Sequence, residues 1–392
     1  MKTNLITIMA PFPLSPDYGS STRVINQLIS LQKDKGIDFH VITYNVEGSY
    51  KDLLPSSITC NPLSKLFRMG FGMQTLFNTC TFSIFSAVRA NTILRRTDII
   101  HAHLSLGSLI ASYVTKLLGV HPALLCDMHG LGLEEVSFVN RRLTALARLI
   151  ELHALNSADL IIASNPILKN SLVKEYGLSS KKVKVVWDAI DVDSYCGVNI
   201  KDVTQFRSRL GINRDEILIL YLGTISRIQG VDLLLEVMPL IKKEIPKIKF
   251  LVVGGRWNRE YTKYLSKLRK FAIVLAGADY ISQVPVIVNA ADICISLKGM
   301  SNQSNAKLLV YGAAGKPTIA FDVPINKFIL GEYGIYLRYP LSDRYAITEA
   351  VVKAIDRSKD DDYKKCLIQH IKKNFDLRRL RDELLGIYQK LL

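Results

Sequence analysis

Three groups of residues in this 392-residue chain have types and spacings that could do chemistry. The first lies in residues 291–322, ADICISLKGMSNQSNAKLLVYGAAGKPTIAFD. This stretch reads as a buried strand over Ile293–Leu297, a Ser/Asn/Gly-rich loop, a helix from about Ser304 to Ala314, and a second buried strand over Thr318–Phe321. Asn305 or Ser304 can cap that helix, and Gly315 with Pro317 ends it. A polar loop entering a helix leaves backbone N–H groups unpaired, which suits a phosphate, and Lys307 in the first turn adds a full positive charge. The second group is Gly19, Ser20 and Ser21, where the loop after a strand at Leu5–Met9 enters a helix of about Ser21–Asp34. Glycine there lets a ligand approach the backbone closely. The third is His101, His103 and His129, at the ends of strands beginning near Asp98 and Ala123. The carboxyl end of a strand in a doubly wound sheet is where such folds place ligand chemistry. The histidines lack an H-x-x-x-H spacing or an accompanying acid, so no metal is expected.

These groups need rigid elements to hold them, and the chain supplies a βα alternation throughout. The length suggests two or three domains, and 48% hydrophobic residues is ample for large cores. The opening MKTNLITIMAPFPLSP reads as a first strand rather than a signal peptide. Glu134–Ala158 reads as one long helix, followed by a strand, a helix starting near Pro166 and the strand Val183–Val186. A second half opens at Ile217–Leu222, turns through Gly223–Gly230 and enters a helix at Val231–Glu244. The fold class is therefore α/β with parallel sheets in both halves. The six cysteines are scattered with no C-x-x-C, and they read as small apolar core residues in a reducing compartment.

The run AKLLVYGAAGKPTIAFD after an Ala-Asp strand resembles the signature of the family 4 retaining glycosyltransferases. That resemblance covers nearly the whole chain. It implies a GT-B fold, two Rossmann-like parallel-sheet domains facing each other across a cleft. An N-terminal acceptor-side domain would occupy residues 1–190 and a nucleotide-sugar-binding domain residues 191–375, with a C-terminal helix, 376–392, crossing back to the first domain. It implies donor-binding roles for Gly19, Ser20, Thr224, Arg227, Asn302, Ser304, Asn305 and Lys307, and a catalytic role for His129, which with Gly130 matches the histidine-glycine that contacts the transferred sugar. The chain departs from the family at specific positions. The usual pair of glutamates falls on Asn302 and Val310. The arginine and lysine that face the donor diphosphate fall on Thr224 and Gln229, with Arg227 between them as a substitute. The interdomain Asn-Gly falls on Asp188-Ala189.

The implied reaction moves a sugar from a nucleotide-diphosphate sugar to a glycan, lipid-linked or other acceptor with retention of configuration, without cofactor. A non-catalytic relative binding a glycan, lipid head group or partner glycosyltransferase is the alternative, and a sugar-nucleotide epimerase a third. The formal charge of +16 calls for an anionic partner. No nucleic-acid module accompanies it, which leaves nucleotide phosphates and anionic lipids. Residues 53–97 contain no Asp or Glu. Within them Met69–Val88 is uncharged, and on a helix Leu76, Phe77, Cys80, Ile84, Phe85 and Val88 share one broad face, with Phe82 off it. Seven of those twenty residues are Ser, Thr, Asn or Gln, which argues against a membrane span. Two readings remain, a buried helix pair or an interfacial helix on an anionic membrane. A cytoplasmic location is expected, at the inner face of the membrane in the interfacial reading.

Overall fold

The computed structural model describes residues 3–16, 19–32, 34, 36–54, 58–59, 71–131, 144–255, 259–299 and 303–392. Asn302 and the first part of the expected helix at 134–158 lie outside the described residues. The chain divides into two compact units, one of Met1–Asp188, Asn302–Ser304 and Leu380–Leu392, the other of Ala189–Ser301 and Asn305–Arg379.

The first unit runs β1 (Asn4–Ala10), α1 (Gly19–Leu31), β2 (Ile37–Thr43), α2 (Tyr50–Leu53), β3 (Ile58–Thr59), α3 (Phe71–Arg89), α4 (Asn91–Leu94), β4 (Ile99–His103), α5 (Leu104–Leu118), β5 (Ala123–Met128), α6 (Thr144–Ser157), β6 (Leu160–Ala163), α7 (Pro166–Lys174) and β7 (Val183–Val185). Its seven strands are parallel in the order β3-β2-β1-β4-β5-β6-β7. Parallel strands are covered on both faces, which is why β5 and β6 are near-continuous apolar runs. One face packs on α1 and α2 through Val24, Ile25, Leu28 and Tyr50. The other packs on α3, α5 and α6 through Phe82, Ala87, Ile110, Val114 and Leu155. At α7, Pro166 occupies the first turn and the Asn165 side chain accepts from Leu168 N at 2.9 Å.

The second unit runs α8 (Val192–Cys196), α9 (Ile200–Arg209), β8 (Ile217–Leu222), α10 (Val231–Glu244), β9 (Ile248–Val253), α11 (Arg259–Leu268), β10 (Ile273–Leu275), α12 (Val284–Ala290), β11 (Ile293–Ser296), α13 (Lys307–Ala313), β12 (Thr318–Phe321), α14 (Pro324–Leu330), β13 (Ile335–Leu337), α15 (Ala346–Ser358) and α16 (Asp361–Phe375). Its six parallel strands have the order β10-β9-β8-β11-β12-β13. Helix α17 (Leu377–Leu391) closes the chain. Both sheets thus reverse direction of growth once, between β1 and β4 and between β8 and β11, as Rossmann-like domains do. The crevice beyond the carboxyl ends at that reversal is the expected ligand position.

Three expectations are corrected. Helix α13 starts at Lys307 rather than Ser304, and neither Ser304 nor Asn305 caps it; Ala306 holds the cap position without a side-chain bond. Asn305 is instead buried, its amide donating to Ser296 Oγ at 3.1 Å and Asn326 Oδ1 at 2.9 Å, because joining β11 to α14 satisfies it inside the core. On α3, Phe82 is fully buried and Phe85 packs against the same core, while Cys80, Ile84 and Val88 face outward; the side chains of Leu76 and Phe77 are not among those described. Of the cysteines, Cys126 and Cys294 are core residues on strands, whereas Cys80, Cys196 and Cys366 are exposed.

Candidate functional site

In the second unit the residues after β8 and β11 meet at the sheet reversal. Gly223 has φ +134°, and a Cβ there would lie 2.8 Å from Lys307 Nζ, so the ammonium rests directly over the backbone at the end of β8. Gly230 has φ +76°, and a Cβ there would strike Leu297 O at 2.1 Å, so only glycine lets this turn pass β11. Lys307 Nζ donates to Gln229 Oε1 at 2.9 Å and sits 4.5 Å from the centre of the Tyr221 ring. Tyr221 is held by donating its hydroxyl proton to Thr224 O at 2.8 Å. Burial of the ammonium pulls the Lys307 pKa down to about 7, and the charge of Lys298 pushes the same way. Lys298, just past β11, is itself 3% exposed. Half-buried Lys307 thus feels a second lysine, and no carboxylate among the described residues shifts its charge back. An anion entering there would restore the charge of Lys307.

The first unit also gathers buried charge at its reversal, with the opposite balance. Arg23 on α1 donates from Nε to both oxygens of Asp127 at 3.1 and 3.0 Å, from Nη1 to Asp188 Oδ1 at 2.6 Å, and from Nη2 to Val186 O at 2.9 Å. Gln27 adds a 2.6 Å bond to Asp127 Oδ2. Burial by itself would raise the Asp127 pKa, but the Arg23 guanidinium overrides it and holds the carboxyl well below its usual range. Burial likewise opposes the Arg23 charge, and Asp127 and Asp188 override it.

The histidines stack on this pair. His101 Nε2 is 3.5 Å and His103 Nδ1 3.8 Å from Asp127 Oδ2, and His103 Nδ1 is 3.0 Å from His129 Nε2. His101 Nδ1 lies 2.8 Å from the Tyr388 hydroxyl of α17. The nearby carboxylate favours a proton on His101 Nε2 and on His103 Nδ1, so Tyr388 donates to His101 and His129 Nε2 accepts from His103. Among the described residues the buried Nε2 of His103 has no hydrogen-bond partner and is then a bare acceptor, while His101 Nε2, also without one, faces the Asp127 carboxylate at 3.5 Å. Burial, with the charge of His101 second, lowers His103 well below its ordinary value, and burial lowers His129 to about 4. His103 and His129 are read as neutral. The acid expected to be missing is therefore present in space: His101, His103 and Asp127 offer ligand atoms within 4.8 Å of one another. As a metal site the set is poor, since Arg23 and Gln27 occupy the Asp127 oxygens and a cation would face a guanidinium.

Of the candidate residues, Thr224, Arg227, Asn305 and Lys307 fall in the second unit, and Gly19, Ser20, Ser304 and His129 in the first. Arg227 lies on a 3-10 turn with its side chain 75% exposed, 3.4 Å from Asp232, and is not part of the crevice around Lys307. Gly19 opens α1 at the surface with open space around its Cα. Val310, at a family glutamate position, is buried on α13. Sequence reasoning missed Lys298, Arg23 and Asp127. The available signal for Lys298 was a lysine directly ending an apolar strand.

Residues 19–194 match the family model for Glycosyltransferase Family 4, and residues 216–357 match that for Glycosyl transferases group 1. The chain belongs to the family 4 glycosyltransferases. Among curated relatives, this family member is 20% identical over 253 residues to spore coat protein SA of Bacillus subtilis, covering 60% of this chain and 66% of that protein. It is 25% identical over 179 residues to mannosylfructose-phosphate synthase of Agrobacterium fabrum, covering 43% and 39%. The chain thus spans from about two fifths to about two thirds of these relatives' own lengths. Among solved structures, Anabaena HepE in complex with UDP-glucose superposes with TM-score 0.76 at 14% identity, covering 98% of this chain and 99% of that one. Sucrose-phosphate synthase from Thermosynechococcus elongatus gives 0.77 at 16%, covering 100% and 99%. At these identities the likeness establishes the GT-B fold. Among the described residues no helix is long and apolar enough to cross a membrane.

Proposed function

We propose that this family 4 member is a retaining glycosyltransferase whose second unit holds the diphosphate of a nucleotide-sugar through Lys307 and Lys298. The carrying observation is the pair of inward-held lysines at the β8/β11 reversal, with an amide and an aromatic ring as the immediate partners of Lys307. Charge-assisted contacts from two ammonium groups neutralise a diphosphate as it departs with the bonding electron pair from the anomeric carbon. The acceptor hydroxyl then bonds to the anomeric carbon on the same face and gives its proton to the departing diphosphate, with no protein carboxylate as nucleophile. The lysines, rather than the end of the seven-residue helix α13, supply the anion affinity in this reading. Thr224 borders the donor as a positioning group, and the roles the family resemblance implies for Gly19, Ser20, His129, Asn302 and Ser304 belong to the proposal; Arg227, exposed on its turn, and Asn305, satisfied in the core, carry none. HepE binds UDP-glucose, which makes uridine sugars the first donors to try. A glycan or lipid-linked acceptor at the cytoplasmic face of a membrane completes the proposal.

The buried Val310 in place of a glutamate favours a second reading, a non-catalytic glycan- or lipid-binding relative. Calorimetric titration with a panel of UDP-, GDP- and ADP-sugars separates the two. Micromolar binding of one member, weakened in Lys307→Ala, supports the transferase. No binding by a folded protein to any member leaves the non-catalytic reading.

A further inference from the structure

Helices α3, α5 and α6 form one layer on the first sheet, α3 packing against α5 and α5 against α6. Their inner faces fill the core through Phe82, Ala87, Ile110, Val114 and Leu155. Their outer faces are also apolar. Ile84 and Val88 are 59% and 72% exposed, Tyr113 and Leu117 54% and 75%, and Leu149 65%. Each of the first two pairs is spaced i, i+4 and so forms a ridge on the outer side of its helix. All the exposed large apolar side chains described between residues 3 and 188 lie on these three helices. The charge pattern is equally one-sided. Across the three helices the sequence has a single carboxylate, Glu151. It is buried and accepts the Tyr176 hydroxyl at 2.6 Å. The cations Arg89, Lys116 and Arg148 are exposed, and Arg95 and Arg96 follow α4.

We propose that the outer faces of α3, α5 and α6 together form a docking surface for an anionic lipid bilayer. Exposed apolar ridges grouped in one layer mark an interaction site rather than ordinary surface. Cations interspersed with them and carboxylates absent select a partner that is anionic as well as apolar, which a bilayer carrying acidic head groups is. A second copy of the chain fits poorly, because a two-fold contact through this layer would set one cationic face, with Arg89, Lys116 and Arg148, against another and bring no carboxylate between them. The surface extends the interfacial reading of residues 53–97 to α5 and α6, and it is independent of donor binding.

Flotation with phosphatidylcholine vesicles, and with vesicles containing phosphatidylglycerol as well, tests this. The wild-type chain should float with the anionic vesicles and stay below with the neutral ones, and salt should release it. Ile84→Asp/Val88→Asp/Leu117→Asp and Arg89→Glu/Lys116→Glu/Arg148→Glu should each lower the floated fraction about tenfold or more. Both should melt cooperatively near the wild-type temperature, since no substituted side chain is in the core. Lys307→Ala should float like wild type, which keeps this surface separate from the donor site. Wild-type protein left in the soluble fraction with both vesicle types overturns the proposal. So does equal flotation of a folded surface variant. A wild-type dimer that the apolar variant converts to monomer, with no vesicle binding, would also overturn it by assigning the layer to self-association.

Discussion

At the carboxyl end of the first sheet, Arg23 meets two carboxylates, a backbone carbonyl and the neighbourhood of three histidines. At the carboxyl end of the second sheet, Lys307 meets an amide, an aromatic ring and the field of another lysine. Both sheets place cations at the reversal, yet Arg23 is closed in by carboxylates, whereas Lys307 is left open, meeting neutral groups and the field of a second lysine. A buried cation answered by carboxylates has its electrostatic needs met by the fold and acts as architecture. One answered only by neutral groups is destabilising until something anionic arrives, and so acts as a receptor. That contrast, more than the family's usual glutamates, is what supports the proposed donor site.

The largest effect expected from breaking the comparison is on the closed side. Arg23→Ala leaves Asp127 and Asp188 facing buried space and should cost about 3–5 kcal/mol in denaturant unfolding. A loss under about 1 kcal/mol would mean the network is not structural. On the open side, Lys307→Ala should leave the melting temperature unchanged or raise it, while weakening donor binding by roughly 1.5–3 kcal/mol, tenfold to a hundredfold. A lowered melting temperature in that variant would place Lys307 with the structural groups.

Gln229→Glu converts the open site into a closed one. A carboxylate in hydrogen-bond reach of Lys307 should raise the lysine's pKa from about 7 and reduce donor affinity about tenfold by cancelling its charge. Unchanged affinity would count against the lysine's role. The closed side also predicts an acid response of the buried histidines. His129 is lowered to about 4 in the folded chain, so between pH 6.5 and 4 the unfolded chain binds the extra proton. Stability therefore rises with pH across that window and falls on acidification, by up to ~1.4 kcal/mol per pH unit for each such histidine. Asp127, held below its ordinary value, loses its contribution only below that window. Melting temperatures that are flat between pH 6.5 and 4 would contradict the neutral-histidine assignment.

Much of the fold was legible because strand and helix periods alternate without ambiguity. Val231–Glu244 and Thr318–Phe321 occur as read, and the run around AKLLVYGAAGKP carried the family. What was not legible depended on partners distant in sequence. Arg23 and Asp127 are 104 residues apart, and an arginine on an early helix reads as solvated until the sheet order brings β5 beside β4 and α1 over them. Asn305 reads as a cap because Asn favours that role locally, but a core position 21 residues from Asn326 satisfies its amide instead. On α3 both faces are apolar, so periodicity gave a face without saying which side was buried. Phe82, placed off the stripe, proved to be the core residue.

Proton uptake on donor binding tests the central claim most directly. The diphosphate of a nucleotide-sugar does not titrate near neutrality, and the free Lys307 is mostly neutral at pH 8 with a pKa of about 7. Titrating the best-bound sugar nucleotide at pH 8 in buffers of different ionisation enthalpy should reveal uptake approaching one proton per binding event, absent in Lys307→Ala. Affinity should correspondingly be flat below pH 7 and fall by up to about tenfold per unit above it. Binding with no proton uptake in the wild-type protein would contradict the account, because the anion would then be held without charging Lys307.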